Sequence, residues 1–241
     1  KRKTMSISDI RSLIDTRDRA IQKSRIAFGN RLAALENEQD KANHDTYFLY
    51  EKWHERFSEL EKELDKDIVS IAEDVPIVQQ LCNIKGISYT LAAKLVSFID
   101  IDRAPTVSAL WRYAGYAVFD GVRERKEKGK KLHYNSRLKA ACYLVATSFV
   151  RTPGSLYRRL YDKARDHYDK ERPEWTKGHK HLASMRKMIK VFLAHLWIVW
   201  RTMEGLPTEP TYIIGRNGHS HTIDPNEFGW EEYDERIQQS A

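Results

Sequence analysis

Hydrophobic side chains in the first part of the chain recur at the spacing of a helix that buries one stripe. From residue 7 to residue 35 every seventh position is hydrophobic, and the glycine at position 29 is the only glycine or proline in that stretch. A seven-residue repeat is typical of a helix packed along a neighbouring helix. The repeat consists of Ile7, Ile14, Ile21, Phe28 and Leu35.

A second repeat starts at residue 50 and alternates spacings of three and four residues. Between the two repeats lies the polar stretch 43–46, in which Asp45 or Thr46 is suited to cap a new helix. This pattern predicts a coiled-coil arm over residues 1–75. It fits two helices folded back as a hairpin, a longer helix paired with a second chain, or two helices packed on one globular body. The second repeat consists of Tyr50, Trp53, Phe57, Leu60, Leu64, Asp67 and Ile71.

After the proline at position 76, shorter amphipathic stretches predict a series of further helices. We see no alternation of strands with helices, so the predicted class is all-α, a long helical arm followed by a helical domain. We expect domain boundaries at 1–75, 76–205 and 206–241, the last being an acidic, loop-rich tail. The helices are expected at 76–82, at 89–99, after a cap at Thr106 or Ser108, and at 136–150, 156–170 and 180–203.

Length and composition narrow the class further. A chain of 241 residues suits one or two domains. Two cysteines, Cys82 and Cys142, exclude a disulfide scaffold and are typical of a reducing compartment. No apolar run is long enough to span a membrane, and no apolar segment of a signal peptide follows the basic first residues. We therefore expect a cytoplasmic, nucleoid-associated protein of prokaryotic or viral origin that has no membrane partner.

Charge is distributed unevenly along the chain. Residues 81–200 hold 24 Lys and Arg against 10 Asp and Glu, a net charge of +14. Residues 1–80 have a net charge of −2, and residues 201–241 one of −5. A basic middle between less basic ends indicates a polyanionic partner. Duplex or branched DNA is the expected partner, structured RNA is a further candidate, and a solvated lysine-rich surface is the alternative without function.

The five residues from Ile84 to Ser88 resemble the turn of a helix-hairpin-helix motif. Gly86 allows a tight turn, and Ala92 keeps the position of the alanine in the following helix. Such a turn directs backbone N–H groups and a helix N-terminus at a phosphate without reading bases. Ser88 replaces the second glycine of the motif and is suited to cap the following helix. A plain turn between two core helices is the alternative.

A glycine-containing loop carries the densest positive charge in the chain. Residues 121–139 include eight basic residues and two acidic ones, with tyrosine and phenylalanine nearby, a composition suited to phosphates and stacked bases. Residues 177–190 add five basic residues and no acidic one. The predicted DNA-binding residues are Lys85, Gly86, Ile87, Ser88, Arg123, Arg125, Lys126, Lys128, Lys130, Lys131, Arg137 and Lys139.

Two further segments extend the resemblance beyond the hairpin. The stretch 110–116 (Leu-Trp-Arg-Tyr-Ala-Gly-Tyr) resembles an Ala-Gly step, and 135–139 (Asn-Ser-Arg-Leu-Lys) resembles a Gly-Asn-x-x-Leu-Arg step. Their order after the hairpin is similar to that in the C-terminal domain of IS-one-ten-type insertion-sequence transposases, relatives of the Piv DNA invertases. The resemblance covers roughly 76–203. It implies a transposase-like domain, DNA recombination, structured guide RNA and assembly into oligomers.

This chain departs from that family at both expected catalytic centres. The family carries an N-terminal RuvC-like domain with four acidic metal ligands, for which the residues before the arm leave no room. Where the family carries a nucleophilic Ser-Gly pair, this chain has Asp120 and Gly121. We therefore predict no catalytic residue, and DNA binding without catalysis by this chain alone. The alternatives are the DNA-binding half of an active recombinase and a coiled-coil scaffold protein.

Other candidate chemistry is weak. Two His-x-His pairs, 179/181 and 219/221, and the loop acids Asp100 and Asp102 have the residue types of metal sites but lack a convincing spacing. No glycine-rich nucleotide loop and no Ser/His/Asp arrangement occurs. We therefore predict no metal and no cofactor. Trp197 and Trp200 are expected in the core, and the arm is expected to form at least a homodimer.

Overall fold

The computed structural model describes residues 6–37, 44–118, 124, 128–129, 131–208 and 224–230. Throughout these residues the secondary structure is helical and no strand occurs, which confirms the predicted all-α class. None of the helices in these ranges combines the length and the apolar character needed to cross a membrane. The helices are α1 (Ile7–Thr16), α2 (Gln22–Asn37), α3 (His44–Ala72), α4 (Pro76–Asn83), α5 (Tyr89–Ser97), α6 (Val107–Tyr113), α7 (Ser136–Arg151), α8 (Leu156–Glu171) and α9 (Lys177–Met203).

The chain divides into two compact units, Lys1–Val75 and Pro76–Ala241. In the first unit, α1 continues through one π-helical turn, Arg17–Ile21, into α2, and both α1 and α2 pack on α3. Successive residues of α2 contact earlier and earlier residues of α3. Arg25 pairs with Glu61, and Phe28 stacks on Phe57 with ring centroids 5.8 Å apart. The unit is therefore an antiparallel hairpin within one chain.

The buried face of α3 differs from the predicted one. Trp53 and Leu60 are 39 % and 45 % exposed, whereas Ile68 and Ala72 are fully buried. Near Leu60, the interior of this helical hairpin holds the carboxylate of Glu61, which forms ion pairs with Arg17 and Arg25. A straight α-helix has 3.6 residues per turn, so a stripe read at 3.5 residues drifts around it. Part of the predicted stripe therefore faces outward from the hairpin.

The second unit is built around α9, which packs on α6, α7 and α8. Trp197 and Trp200 are 0 % and 2 % exposed, in agreement with the core position expected for them. The indole Nε1 of Trp197 donates to the carbonyl of Ala104, and Arg201 donates to the same carbonyl and to that of Ile101. These bonds tie the loop between α5 and α6 to the end of α9.

Three short side chains define where the helices of this unit begin. Ser88, Thr106 and Thr176 each accept a hydrogen bond from the backbone N–H three residues ahead, at the starts of α5, α6 and α9. Asn135 caps α7 by accepting from the N–H groups of Arg137 and Leu138. The asparagine of the Asn-x-x-Leu step is thus a helix cap here.

A short segment near the C-terminus belongs to the second unit. Residues Pro225–Phe228 form a 3-10 turn that packs on α8, and Trp230 is buried. Its indole Nε1 donates to the hydroxyl of Tyr157, and that hydroxyl lies 2.6 Å from Nδ1 of His195. This buried chain of three polar side chains joins the segment to α8 and α9.

Candidate nucleic-acid interface

The turn between α4 and α5 combines two buried anchors with an exposed cation. Ile84 and Ile87 are 2 % and 7 % exposed, and the N–H of Ile87 donates to the carbonyl of Ile84. Between them the side chain of Lys85 is exposed, and Gly86 has a φ of +112°, in the range that favours glycine. The isoleucines thus fix the turn to the core, and the basic side chain remains at the surface.

The start of α5 completes the turn. Ser88 Oγ accepts from the N–H of Leu91, at 3.3 Å. Among the described residues, no acceptor binds the N–H groups of Tyr89 and Thr90, the first two residues of α5, and the first turn of α5 holds no acidic residue. Exposed N–H groups and the positive end of the helix dipole favour an anion at such a position. Backbone N–H groups and Lys85 therefore supply an anion-facing corner.

This corner is held against the end of α7. The hydroxyl of Ser148 donates to the carbonyl of Gly86, and a Cβ on Gly86 would lie 3.2 Å from Phe149. The ammonium of Lys85 lies over Gly154, in the turn that follows α7. Sequence reasoning missed a basic residue of the same turn, Arg151, which is exposed at the last position of α7.

Only part of the predicted basic loop lies in the described residues. Arg123, Arg125, Lys126 and Lys130 fall outside them, as do Asp120 and Gly121. Lys128 and Lys131 are exposed. The carboxylate of Glu124 accepts from the backbone N–H of His133 and lies 3.0 Å from its Nδ1. The hydrogen bond from the His133 N–H, together with the His133 side chain, lowers the pKa of Glu124.

Arg137 and Lys139, at the start of α7, lie against aromatic rings. The guanidinium of Arg137 is 4.4 Å from the ring centroid of Phe98, and the ammonium of Lys139 is 4.3 Å from that of Tyr134. Both side chains are half-buried. The contact of Arg137 fixes the start of α7 to the end of α5, and one terminal nitrogen of its guanidinium is buried there.

The α4–α5 turn and the pair Arg137 and Lys139 lie at opposite ends of α7. Ser148 contacts the hairpin, and Arg137 follows the loop, eleven positions earlier. At 1.5 Å per residue these positions are about 16 Å apart along the helix axis. The predicted site residues therefore form two separate clusters.

Two of the residues weighed for metal binding, His179 and His181, contact aromatic side chains instead. Within the described part of the chain, no three His, Cys, Asp or Glu side chains converge on a metal site. His179 stacks on Trp175, and Nδ1 of His181 lies 2.8 Å from the hydroxyl of Tyr161. Asp224 caps the C-terminal turn by accepting from Asn226. His219 and His221 fall outside the described residues.

Comparison with known proteins adds no identification. No protein-family model matches the chain, and no curated protein is significantly similar to it.

Proposed function

We propose that the chain is a DNA-binding protein of transposase or recombinase origin that grips the backbone of duplex or branched DNA. The observation that carries the proposal is the corner formed by the α4–α5 turn. Lys85 is exposed there, and among the described residues no acceptor binds the N–H groups of Tyr89 and Thr90 at the N-terminus of a capped helix. Contacts of this kind hold a phosphate whatever the base sequence. The transposase origin rests on the sequence resemblance, and the proposed role is binding without catalysis by this chain alone.

The spacing of the two basic clusters suits a duplex. The positions on α7 that contact or carry the two clusters are about 16 Å apart along the helix axis, the length of about five base pairs at 3.4 Å per pair. One duplex segment is long enough to contact the α4–α5 turn and the start of α7 together. The net charge of +14 over residues 81–200 supplies the long-range attraction.

The test is binding of a labelled 16-base-pair duplex, a branched junction and a structured RNA, followed by fluorescence anisotropy across a salt series. Lys85→Glu is expected to weaken duplex binding about tenfold or more, because hydrogen bonds to charged groups are worth about 1.5–3 kcal/mol. The slope of log affinity against log salt should become shallower by about 1.

Lys66→Glu is the matched control, since Lys66 is an exposed lysine on α3 in the other unit. Equal duplex affinities of the Lys85 and Lys66 variants would show that the α4–α5 turn is not part of the binding surface. Absent or salt-insensitive binding of all three probes by the wild type would favour a scaffold protein instead.

We also propose that the first unit forms a homodimer through the outer face of α3. Leu49, Trp53 and Leu60 are 51 %, 39 % and 45 % exposed. Their spacing of four and seven residues places them on one side of the helix. A second copy of the same stripe would bury all three side chains by an isologous contact.

Light scattering of the intact chain at micromolar concentration tests this assembly. We expect at least a dimer for the wild type and a monomer for Leu60→Lys, with unchanged helix content. A monomeric wild type would contradict the proposal and leave only the intrachain hairpin.

A further inference from the structure

A recess opens in the second unit where the end of α8, the link 172–176 and the middle of α9 meet. Its volume is about 310 Å³, at the lower end of the range of about 300–1,000 Å³ that is usual for small-molecule sites. Three aromatic and three basic side chains line it: Tyr168, Trp175, His179, Arg186, Lys187 and Lys190. No acidic residue of the described chain lines it.

The aromatic wall is held in place by its own contacts. The rings of Trp175 and His179 are parallel to within 2°, with centroids 4.1 Å apart. Tyr168 lies 5.2 Å from Trp175 at an interplanar angle of 34°. Thr176 caps α9 by accepting from the N–H of His179, so the link and the helix keep a fixed geometry. Trp175 and Tyr168 are half-buried and line the recess.

The basic side chains follow one side of α9. Arg186 and Lys190 are one turn apart, and Lys187 lies between them. The Lys187 ammonium is 4.6 Å from the ring centroid of Tyr168, and that of Lys190 is 3.9 Å from the ring centroid of Trp111. In the described part of the chain neither lysine forms an ion pair.

Three positive charges lie close together in this recess, and the guanidinium of Arg186 donates to two backbone carbonyls just after α6. Burial, and then the positive charge of Arg186, lower the pKa of Lys190. The carboxylate of Asp169, near the end of α8, is instead 3.0 Å from the ammonium of Lys180. An anion placed among Arg186, Lys187 and Lys190 would offset both the desolvation and the mutual repulsion of these groups.

We propose that this recess binds one unpaired nucleotide of a nucleic-acid strand, with its base on the aromatic wall and its phosphate among the three basic side chains. Aromatic rings beside cations are the combination that holds single strands without strong sequence preference. A recess of about 310 Å³ suits one base with its phosphate better than a stacked base pair. The inference rests on the proposed binding of nucleic acid and adds a separate site for an unpaired segment.

The experiment uses the intact protein with three labelled probes: a 12-mer of dT, a 12-mer of rU and a 16-base-pair DNA duplex. Trp175→Ala is expected to weaken binding of a single strand about tenfold, because base stacking on an aromatic ring is worth about 1–3 kcal/mol per base. Affinity for the duplex should change less than twofold. Ala183→Leu fills the recess from α9 and should weaken single-strand binding in the same selective way. Comparison of the dT and rU probes shows whether the recess prefers DNA or RNA.

Tyr143→Ala is the matched control, because Tyr143 is 50 % exposed on α7 and does not line the recess. Circular dichroism checks that each variant is folded. If Trp175→Ala binds all three probes as the Tyr143 control does, the proposal is overturned. An equal loss on single strands and on the duplex also overturns it, since the recess would then belong to the duplex surface. The effect of Lys85→Glu on duplex binding tests the proposed function, and the effect of Trp175→Ala on single strands tests the recess. Each result can fail without the other.

Discussion

Replacing Gly86 with alanine should destabilise the second unit through two separable terms. The φ of +112° is costly for any residue with a Cβ, by about 1–2 kcal/mol. The new Cβ would also lie 3.2 Å from Cδ1 of Phe149 and 3.3 Å from Oγ1 of Thr152. Phe149 is fully buried and stacked on Tyr157 with centroids 4.7 Å apart, so it has little room to move. Overpacking of this kind typically costs about 1–3 kcal/mol.

The two terms together predict a loss of about 2–5 kcal/mol in the free energy of unfolding. Substitutions at two other glycines serve to separate the cost of the positive φ from the cost of overpacking. Gly205 has a φ of +66° and open space around its Cβ position, so Gly205→Ala should cost about 1 kcal/mol. Gly178 lies in α9, also with open space, so Gly178→Ala should stabilise by about 0.5–1 kcal/mol.

Urea unfolding of the intact chain, followed by tryptophan fluorescence, measures all three variants. Five of the six tryptophans lie in residues 76–241, so the signal reports the second unit. A Gly86→Ala protein that is as stable as Gly205→Ala would refute the packing of the α4–α5 turn on α7. Because Gly86 carries this structural cost, Lys85 is the better position for testing DNA contacts.

Three further predictions concern the interior of each unit. Tyr157→Phe removes the acceptor of the Trp230 indole and should lower stability by about 1–3 kcal/mol, measured by thermal unfolding; an unchanged melting temperature would contradict the buried polar chain. Burial raises the pKa of Cys142, so alkylation of the native protein at pH 8 should modify Cys82 and spare Cys142, as measured by mass spectrometry. Modification of Cys142 before Cys82 would contradict this prediction. Glu61→Ala removes the carboxylate that pairs with Arg25 and one of those around Arg17, which keeps Asp65, and should destabilise the helical hairpin of the first unit by about 1–3 kcal/mol by circular dichroism; an unchanged stability would show that the Glu61 pairs contribute nothing.

Local residue chemistry predicted the helices of the second unit to within a few residues. Short polar side chains determine where α5 and α6 begin, because Ser88 and Thr106 satisfy N–H groups that no helix can satisfy internally. The start of α4 follows the proline at 76, which suits the first position of a helix. Such signals are contained within a few neighbouring residues, so the sequence alone carries them.

The buried side of α3 could not be predicted in the same way. The repeat through Trp53 and Leu60 is a property of one helix, whereas the choice of inward face depends on what α1 and α2 present to it. Arg17 and Arg25 require carboxylates opposite them; Glu61 supplies one to both, and Asp65 supplies a second to Arg17. A buried charge must be paired, and that requirement links residues about 40 positions apart.

Sequence by itself determined the all-helical class, the helix boundaries and the concentration of positive charge, since all three depend on residue type and short-range spacing. Only the tertiary structure decided which charges share a surface. It separates Lys85 from Arg137 along the length of α7, and it brings Trp175 beside Lys187 through the turn between α8 and α9. These distances follow from how helices pack, because packing joins segments whose order along the chain does not reveal that they meet.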